Sequence, residues 1–277
     1  MSISAKEVKE LREQTGAGMM DCKKALQDAD GDFDKAIEIL RKKGQKLSEK
    51  RADREANQGL IVTRLSDDGS KASALEINCE TDFVARNEDF QNRAEQFLNL
   101  AFENEVDSVD ELLELEIDGL SVADHLKDMV GKIGEKIKIN RVIYTESEGQ
   151  YISYIHPGNQ LGVLVEFEGE IDNEDIGRDI AMQVAAMNPL AVNRDGVDSS
   201  VVEQELDIAK EQLLNEGKSE EIAEKAAQGK LRRFYEERVL LEQKFVKDNS
   251  KTVKAYLEEN GIPLVKSFHR LQLGEES

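Results

Sequence analysis

Tryptophan is absent from this 277-residue chain, and proline occurs only 3 times. So little proline leaves few fixed turns and favours a helix-rich chain. Cysteine is nearly absent too. Cys22 and Cys79 stand far apart and form no C-x-x-C pair, which points away from a disulfide framework and toward two reduced thiols. No apolar run approaches the roughly 20 residues that span a bilayer. Helical patterning begins at Ser4, where a signal or transit peptide would show a different pattern. The expected setting is cytoplasmic, with no membrane partner. Basic charge is in short supply: 37 Lys and Arg face 58 Asp and Glu, a net charge of −21. An acidic surface repels phosphate backbones, so no direct nucleic-acid partner is expected. It favours solubility and suits a basic partner surface.

The patterns of chemistry are missing as well. Gly16-Ala17-Gly18 follows a helical pattern where a dinucleotide fingerprint follows a strand, and Met19-Met20-Asp21 stands where a phosphate loop needs Gly-Lys-Ser/Thr. It is a helix stop followed by a helix start. Gly131 to Lys136 fails the same template. His125, His156 and His269 are widely separated and have no partners at metal-ligand spacing. Carboxylates are too abundant for one acid/base pair to stand out. No metal, cofactor or catalytic residue is expected, and the chain is not read as an enzyme.

What is present is a succession of periodicities. Ser4-Ala5-Lys6-Glu7 is a capping box, followed by the apolar pair Val8 and Leu11. A second helix is predicted over Met19 to Gln27, and Phe33, Ala36, Ile37 and Leu40 mark a third at i, i+3, i+4, i+7. Arg41 to Gln58, charge-rich and containing Gly44, reads as a linker, with partial helix left open. From Gly59 the period changes. Strands are predicted at Leu60 to Ser66 and Lys71 to Cys79 around an Asp67-Asp68-Gly69-Ser70 turn. Helices carrying Phe90 to Ala101 and Val122 to Ile133 follow, then a strand from Lys136 to Thr145. The same order recurs: strands at Gln150 to Ile155 and Leu161 to Glu168, a helix from Glu174 to Met187, and a last strand at Leu264 to Leu273. Val202, Leu206, Ala209 and Leu213 have the spacing of a helix–helix seam. With Gly217-Lys218-Ser219 as the turn, a second long helix is predicted from Glu220 to about Lys247. The fold class is α+β: a three-helix unit, then two similar halves, each a small antiparallel sheet with helices on one face, the second interrupted by a helical hairpin.

Two features point to function. Glu76 to Arg86 takes an alternating strand into a loop and straight into a helix, with Asp82 and Phe83 side by side at the corner. An acid and an apolar wedge on a rigid base suit insertion into another protein. Met19 and Met20, adjacent on a helix, point ~100° apart. A small unit buries one more easily than both, which leaves one for an adaptable binding surface or makes the pair a wide core stripe.

These residues carry a resemblance. Leu11 to Leu26 (LREQTGAGMMDCKKAL) and Glu76 to Arg86 (EINCETDFVAR), with Lys132-Ile133-Gly134-Glu135 in support, resemble the elongation factor Ts family, guanine-nucleotide exchange factors for elongation factor Tu in bacterial translation. The resemblance implies a ubiquitin-associated-like (UBA-like) unit with linker at 1–54, a first core half at 55–147, and a second at 148–277 with a coiled-coil hairpin at about 198–248. It implies binding to elongation factor Tu, GDP-bound and nucleotide-free, without a cofactor. Thr81, Asp82, Phe83 and Val84 match the segment that disturbs the magnesium of that partner, and Ile133 and Gly134 match residues that support it. Arg12, Met19 and Met20 match contacts made by the N-terminal unit, and His156, Phe245 and Val246 match contacts made by the second half. Gln160, Lys244 and Asn249 depart from the family pattern beside the second-half contacts. The rival from another class is a general protein-binding adaptor led by the N-terminal helices.

Overall fold

The structure, a computed structural model, describes residues 3–275; residues 1–2 and 276–277, at the outer limits of the expected units, lie outside it. Helix α1 (Ala5–Thr15) starts from the expected capping box. The Glu7 N–H donates to Ser4 Oγ at 3.2 Å, and the Ser4 N–H donates to Glu7 Oε2 at 2.7 Å. It ends at Gly16, whose φ of +69° suits a residue without a Cβ. Helices α2 (Met19–Asp28) and α3 (Phe33–Arg51) complete a unit whose core is Leu11, Cys22, Leu26, Ala36 and their neighbours.

Helix α3 corrects the expected linker. It runs unbroken to Arg51, and Gly44 sits buried inside it. Its neighbour is another glycine, Gly131, rather than solvent. In sequence the glycine looks like a break; in three dimensions it makes room for a second helix.

Strands β1 (Gln58–Leu65) and β2 (Lys71–Cys79) form the first hairpin. After it come α4 (Asp82–Ala85), α5 (Glu88–Glu103), α6 (Val109–Glu114), the short pair β3 (Glu116–Ile117) and β4 (Leu120–Ser121), α7 (Val122–Ile133) and β5 (Ile137–Glu146). The sheet order is β1-β2-β5, all antiparallel. Leu60, Leu75 and Ile77 on one face meet Phe90, Phe97, Leu112 and Met129 from the helices. His125 is buried there, with Nε2 2.9 Å from the Ile117 carbonyl, a packing role.

The second half repeats the plan with β6 (Gln150–Ile155), β7 (Leu161–Phe167) and α8 (Glu174–Met187). Next come the hairpin helices α9 (Ser199–Asn215) and α10 (Glu220–Arg238), then β8 (Lys244–Phe245), β9 (Asp248–Thr252), α11 (Val253–Glu259) and β10 (Val265–Gln272). Its sheet order is β10-β7-β6. The hairpin seam holds Ala209, Leu213, Ala223 and Ala227. Helix α10 stops at Arg238, short of the expected Lys247. Val239 turns extended, and the next residue, Leu240, is buried in the second core.

The two halves are copies at the level of hydrogen bonds. In the first hairpin Leu60 pairs with Ile77; ninety residues on, Gln150 pairs with Phe167 in the same register. Each outer pairing, β2 with β5 and β7 with β10, shifts register at the corresponding place. The two sheets pack face to face through Ile61, Ala74, Tyr151 and Leu164, with helices outside both. The turns are exchanged across this seam: Ile61 N–H donates to the Asn159 carbonyl at 2.7 Å, and Tyr151 N–H donates to the Gly69 carbonyl at 2.8 Å. Arg141 ties the layers further, pairing with buried Glu76 at 2.6 Å and donating to the Gln272 carbonyl at 2.8 Å.

Candidate functional site

Strand β2 ends at Cys79, and the chain must turn into α5 within eight residues. It does so through α4, a single helical turn. On its inner side Val84 and Ala85 pack against the first core. On its outer side Phe83 is 82 % exposed, the most exposed of the large apolar side chains among the described residues. An aromatic left in water on an otherwise anchored turn contributes little to the fold and is open to contact. Asp82 stands next to it, paired with Arg86 at 3.0 Å. Both groups are well exposed, so this pair adds little stability and is free to exchange partners.

The turn is held from two directions. Glu135 accepts from the Thr81 N–H at 3.0 Å and from its hydroxyl at 2.7 Å. Glu80 accepts from Arg51 at 2.6 Å, from Arg54 at 3.2 Å and from the Lys136 N–H at 2.6 Å. Burial of Glu80 favours its neutral form, but these three donors outweigh it and hold the carboxyl below the ordinary value of 4.5. Beneath the turn the Cys79 thiol donates to the Thr81 carbonyl at 3.1 Å. Burial, with the Glu135 charge behind it, pushes that thiol up to about 12, so it is an inert packing group.

Of the residues expected at the site, the structure brings Ile133 and Gly134 to the corner. Ile133 ends α7 packed on the first core, and Gly134 caps the helix at φ +82°, which delivers Glu135 to Thr81. Arg12, Met19 and Met20 lie on the three-helix unit. Both methionines project from the first turn of α2, 56 % and 73 % exposed, so the pair is a surface feature and no core stripe. His156 is exposed in the β6–β7 turn, with Nδ1 2.9 Å from the Tyr154 hydroxyl. Phe245 departs from expectation. It is 2 % exposed and stacks on Tyr256 at 4.1 Å, inside the second half. Val246 beside it is exposed, its N–H held by Gln183 Oε1 at 2.8 Å. Sequence reasoning missed Glu80, Glu135, Arg51 and Arg54. Glu80 and Glu135 stand beside Thr81 and Gly134 in sequence, but Arg51 and Arg54 lie 29 and 26 residues before Glu80, and the meeting of all four across the fold has no local signal.

Among the described residues no three His, Cys, Asp or Glu side chains gather into a metal-binding group. No described helix is long and apolar enough to cross a membrane.

The family model described as Elongation factor TS matches residues 80–275, starting at the corner itself. The chain is 47 % identical over 278 residues to Elongation factor Ts of Amoebophilus asiaticus, covering 99 % of this chain and 100 % of that protein. It is 47 % identical over 284 residues to the one from Prosthecochloris aestuarii, covering 98 % and 99 %. With Elongation factor Ts of Hydrogenobaculum sp. the identity is 46 % over 279 residues, covering 99 % and 100 %. The chain belongs to the elongation factor Ts family. It is therefore a translation elongation factor, and its braced, outward-facing corner is to be read in that light. The match to the Amoebophilus asiaticus relative covers the residues of the three-helix unit and of the hairpin as well as those of the sheets.

Proposed function

We propose that this chain binds elongation factor Tu in its GDP-bound form and speeds GDP release by inserting the Asp82-Phe83 corner into the nucleotide domain of that partner. The observation that carries the proposal is Phe83, held 82 % exposed on a turn fixed by Glu80 and Glu135. A wedge works only if it does not fold back on its own base, and the bracing prevents that. Nothing covalent is made or broken. The factor binds the nucleotide-free partner better than the GDP-bound one, and by linkage GDP weakens the factor's binding to the same degree. Burying a phenylalanine is worth roughly 1.5–3 kcal/mol. Realised only in the distorted complex, that energy supplies about 10- to 150-fold of coupling. Asp82, released from Arg86, would disturb the partner's magnesium ion electrostatically. The chain acts in the cytoplasm, as translation does, and through protein contacts rather than direct contact with nucleic acid or membrane.

Thr81 and Val84 form the base of the wedge, with Ile133 and Gly134 behind it. Met19, Met20 and Arg12 give a second point of contact from the N-terminal unit (1–54), which we take to be ubiquitin-associated-like. In the second half (148–277, hairpin at about 198–248) His156 and Val246 face outward, and Phe245 supports Val246 from within. The first half, 55–147, carries the wedge. Release of fluorescent GDP from purified elongation factor Tu, followed against the concentration of this protein, tests the proposal. A saturable acceleration is expected, and an unchanged rate would overturn it.

A further inference from the structure

Helix α3 belongs to two bodies at once. Its first half, through Phe33, Ala36, Ile37 and Leu40, is part of the three-helix core. Its second half packs Leu47 on the first sheet's core, and Arg51 at its last position and Arg54 just beyond it reach Glu80. Helix α7 ends at the same place, where Glu135 holds Thr81. The two helices therefore converge on the Phe83 corner, and they cross at a pair of glycines. A Cβ on Gly131 would lie 2.8 Å from the Gly44 Cα; a Cβ on Gly44 would lie 3.2 Å from the Gly131 Cα and from the Lys127 carbonyl. Any side chain at either position pushes the helices apart against backbone, which cannot yield.

This crossing is the principal packed contact between the three-helix unit and the rest of the fold. Beside it lies a cavity of about 490 Å³, with Thr15 and Ile37 on one wall and His125 and Lys132 on the other. The unit is thus held chiefly along this crossing, with Leu47, Arg51 and Arg54 extending the contact to the first half beyond the glycines. Its tilt is set where the glycines touch.

We infer that Gly44 and Gly131 are positioning residues for nucleotide exchange: their backbone contact fixes the Met19–Met20 surface relative to the Phe83 wedge, so that one partner molecule meets both at once. The inference rests on the exchange reading above. Two linked contacts bind as one only when the spacing between them fits the partner. A wider crossing moves the methionines with the three-helix unit, while Glu135, which follows α7, keeps its hold on Thr81 within the first half. The signature is a loss of apparent affinity at an unchanged maximal rate.

The test is Gly131→Ala in the full chain, with exchange measured over a range of factor concentrations. The concentration for half-maximal GDP release should rise about tenfold, which is 1.4 kcal/mol, while the maximal rate holds. Met19→Ala combined with Met20→Ala should raise that concentration in the native background and add little in the Gly131→Ala background. Spin labels at Gln27→Cys and Glu88→Cys, both exposed positions on the two bodies, should report a shifted distance distribution. If Gly131→Ala does not fold, Gly44→Ala, with its milder 3.2 Å approach, takes its place. A uniform fall in maximal rate, additive methionine effects or an unchanged distance would overturn the inference. Failure of the native chain to accelerate GDP release would overturn the exchange reading and this inference with it; native acceleration matched by Gly131→Ala overturns this inference alone.

Discussion

Thr81 gives both of its donors, the backbone N–H and the hydroxyl, to the carboxylate of Glu135, at 3.0 and 2.7 Å across 54 residues of sequence. A hydrogen bond to a charged acceptor is worth about 1.5–3 kcal/mol. Glu135→Ala should therefore lower the unfolding free energy by about that amount and reduce the exchange rate at least tenfold. Thr81→Ser keeps both donors and should stay near the native values. Urea unfolding and GDP-release kinetics on the two variants check this.

Phe83→Ala should separate activity from stability. The ring touches mostly solvent in the free protein, so the unfolding free energy should move by less than about 0.5 kcal/mol. GDP release should slow by about 10- to 150-fold, the worth of burying the ring in the partner. An activity loss matched by an equal loss of stability would show that the ring serves the fold.

Acid should loosen the corner with a definite sign. The Glu80 carboxyl is held below its ordinary 4.5 in the folded protein. Its contribution is therefore complete above the unfolded value and is lost as pH falls through the folded one. Stability measured by denaturant should not change on account of Glu80 between pH 7 and about 5 and should drop below about 4.5. Glu166, buried among Lys266, Ser147 and Ser267, is also depressed and contributes the same sign. The informative quantity is the difference between the native chain and Glu80→Gln, whose acid slope should be shallower.

Two glycines at matching places in the halves should be intolerant of any side chain. A Cβ on Gly59 would stand 2.1 Å from the Ile77 carbonyl oxygen, and one on Gly149 would stand 2.0 Å from that of Phe167. Gly59→Ala or Gly149→Ala should cost about 3 kcal/mol or more through displaced strands. Gly217, at φ +81° with open space around it, is strained by backbone conformation alone, so Gly217→Ala should cost about 1–2 kcal/mol. Thermal unfolding of the three variants gives the comparison.

Local chemistry made much of this fold readable. Ser4 and Glu7 announced a helix start, and the turns at Asp67–Ser70 and Pro157–Asn159 announced two hairpins of one design. Phe83 was legible as a corner residue because a strand period ended just before it. What escaped depends on contacts distant in sequence. Gly44 looked like a helix breaker because its partner Gly131 is 87 residues away. Helix α10 was drawn too long because nothing local says that Leu240 is wanted in the second core. Phe245 matches a contact segment of the family, but a resemblance carries position and not exposure, and its ring lies against Tyr256. Helix α11 and the β8–β9 pair were missed because such short elements hold their shape only by packing.

Ninety residues beyond Asp82 and Phe83, at the equivalent point of the second half, stand Asp172 and Asn173. There the chain raises no aromatic; Asn173 caps α8 by accepting the Asp175 N–H at 3.1 Å. The duplicated scaffold is thus asymmetric at its corners: the first raises an exposed ring, the second a helix cap. Its two sheets share one blueprint down to the exchanged bonds of Ile61 and Tyr151, yet of the two matching corners it is the one after β2 that lifts an aromatic into water.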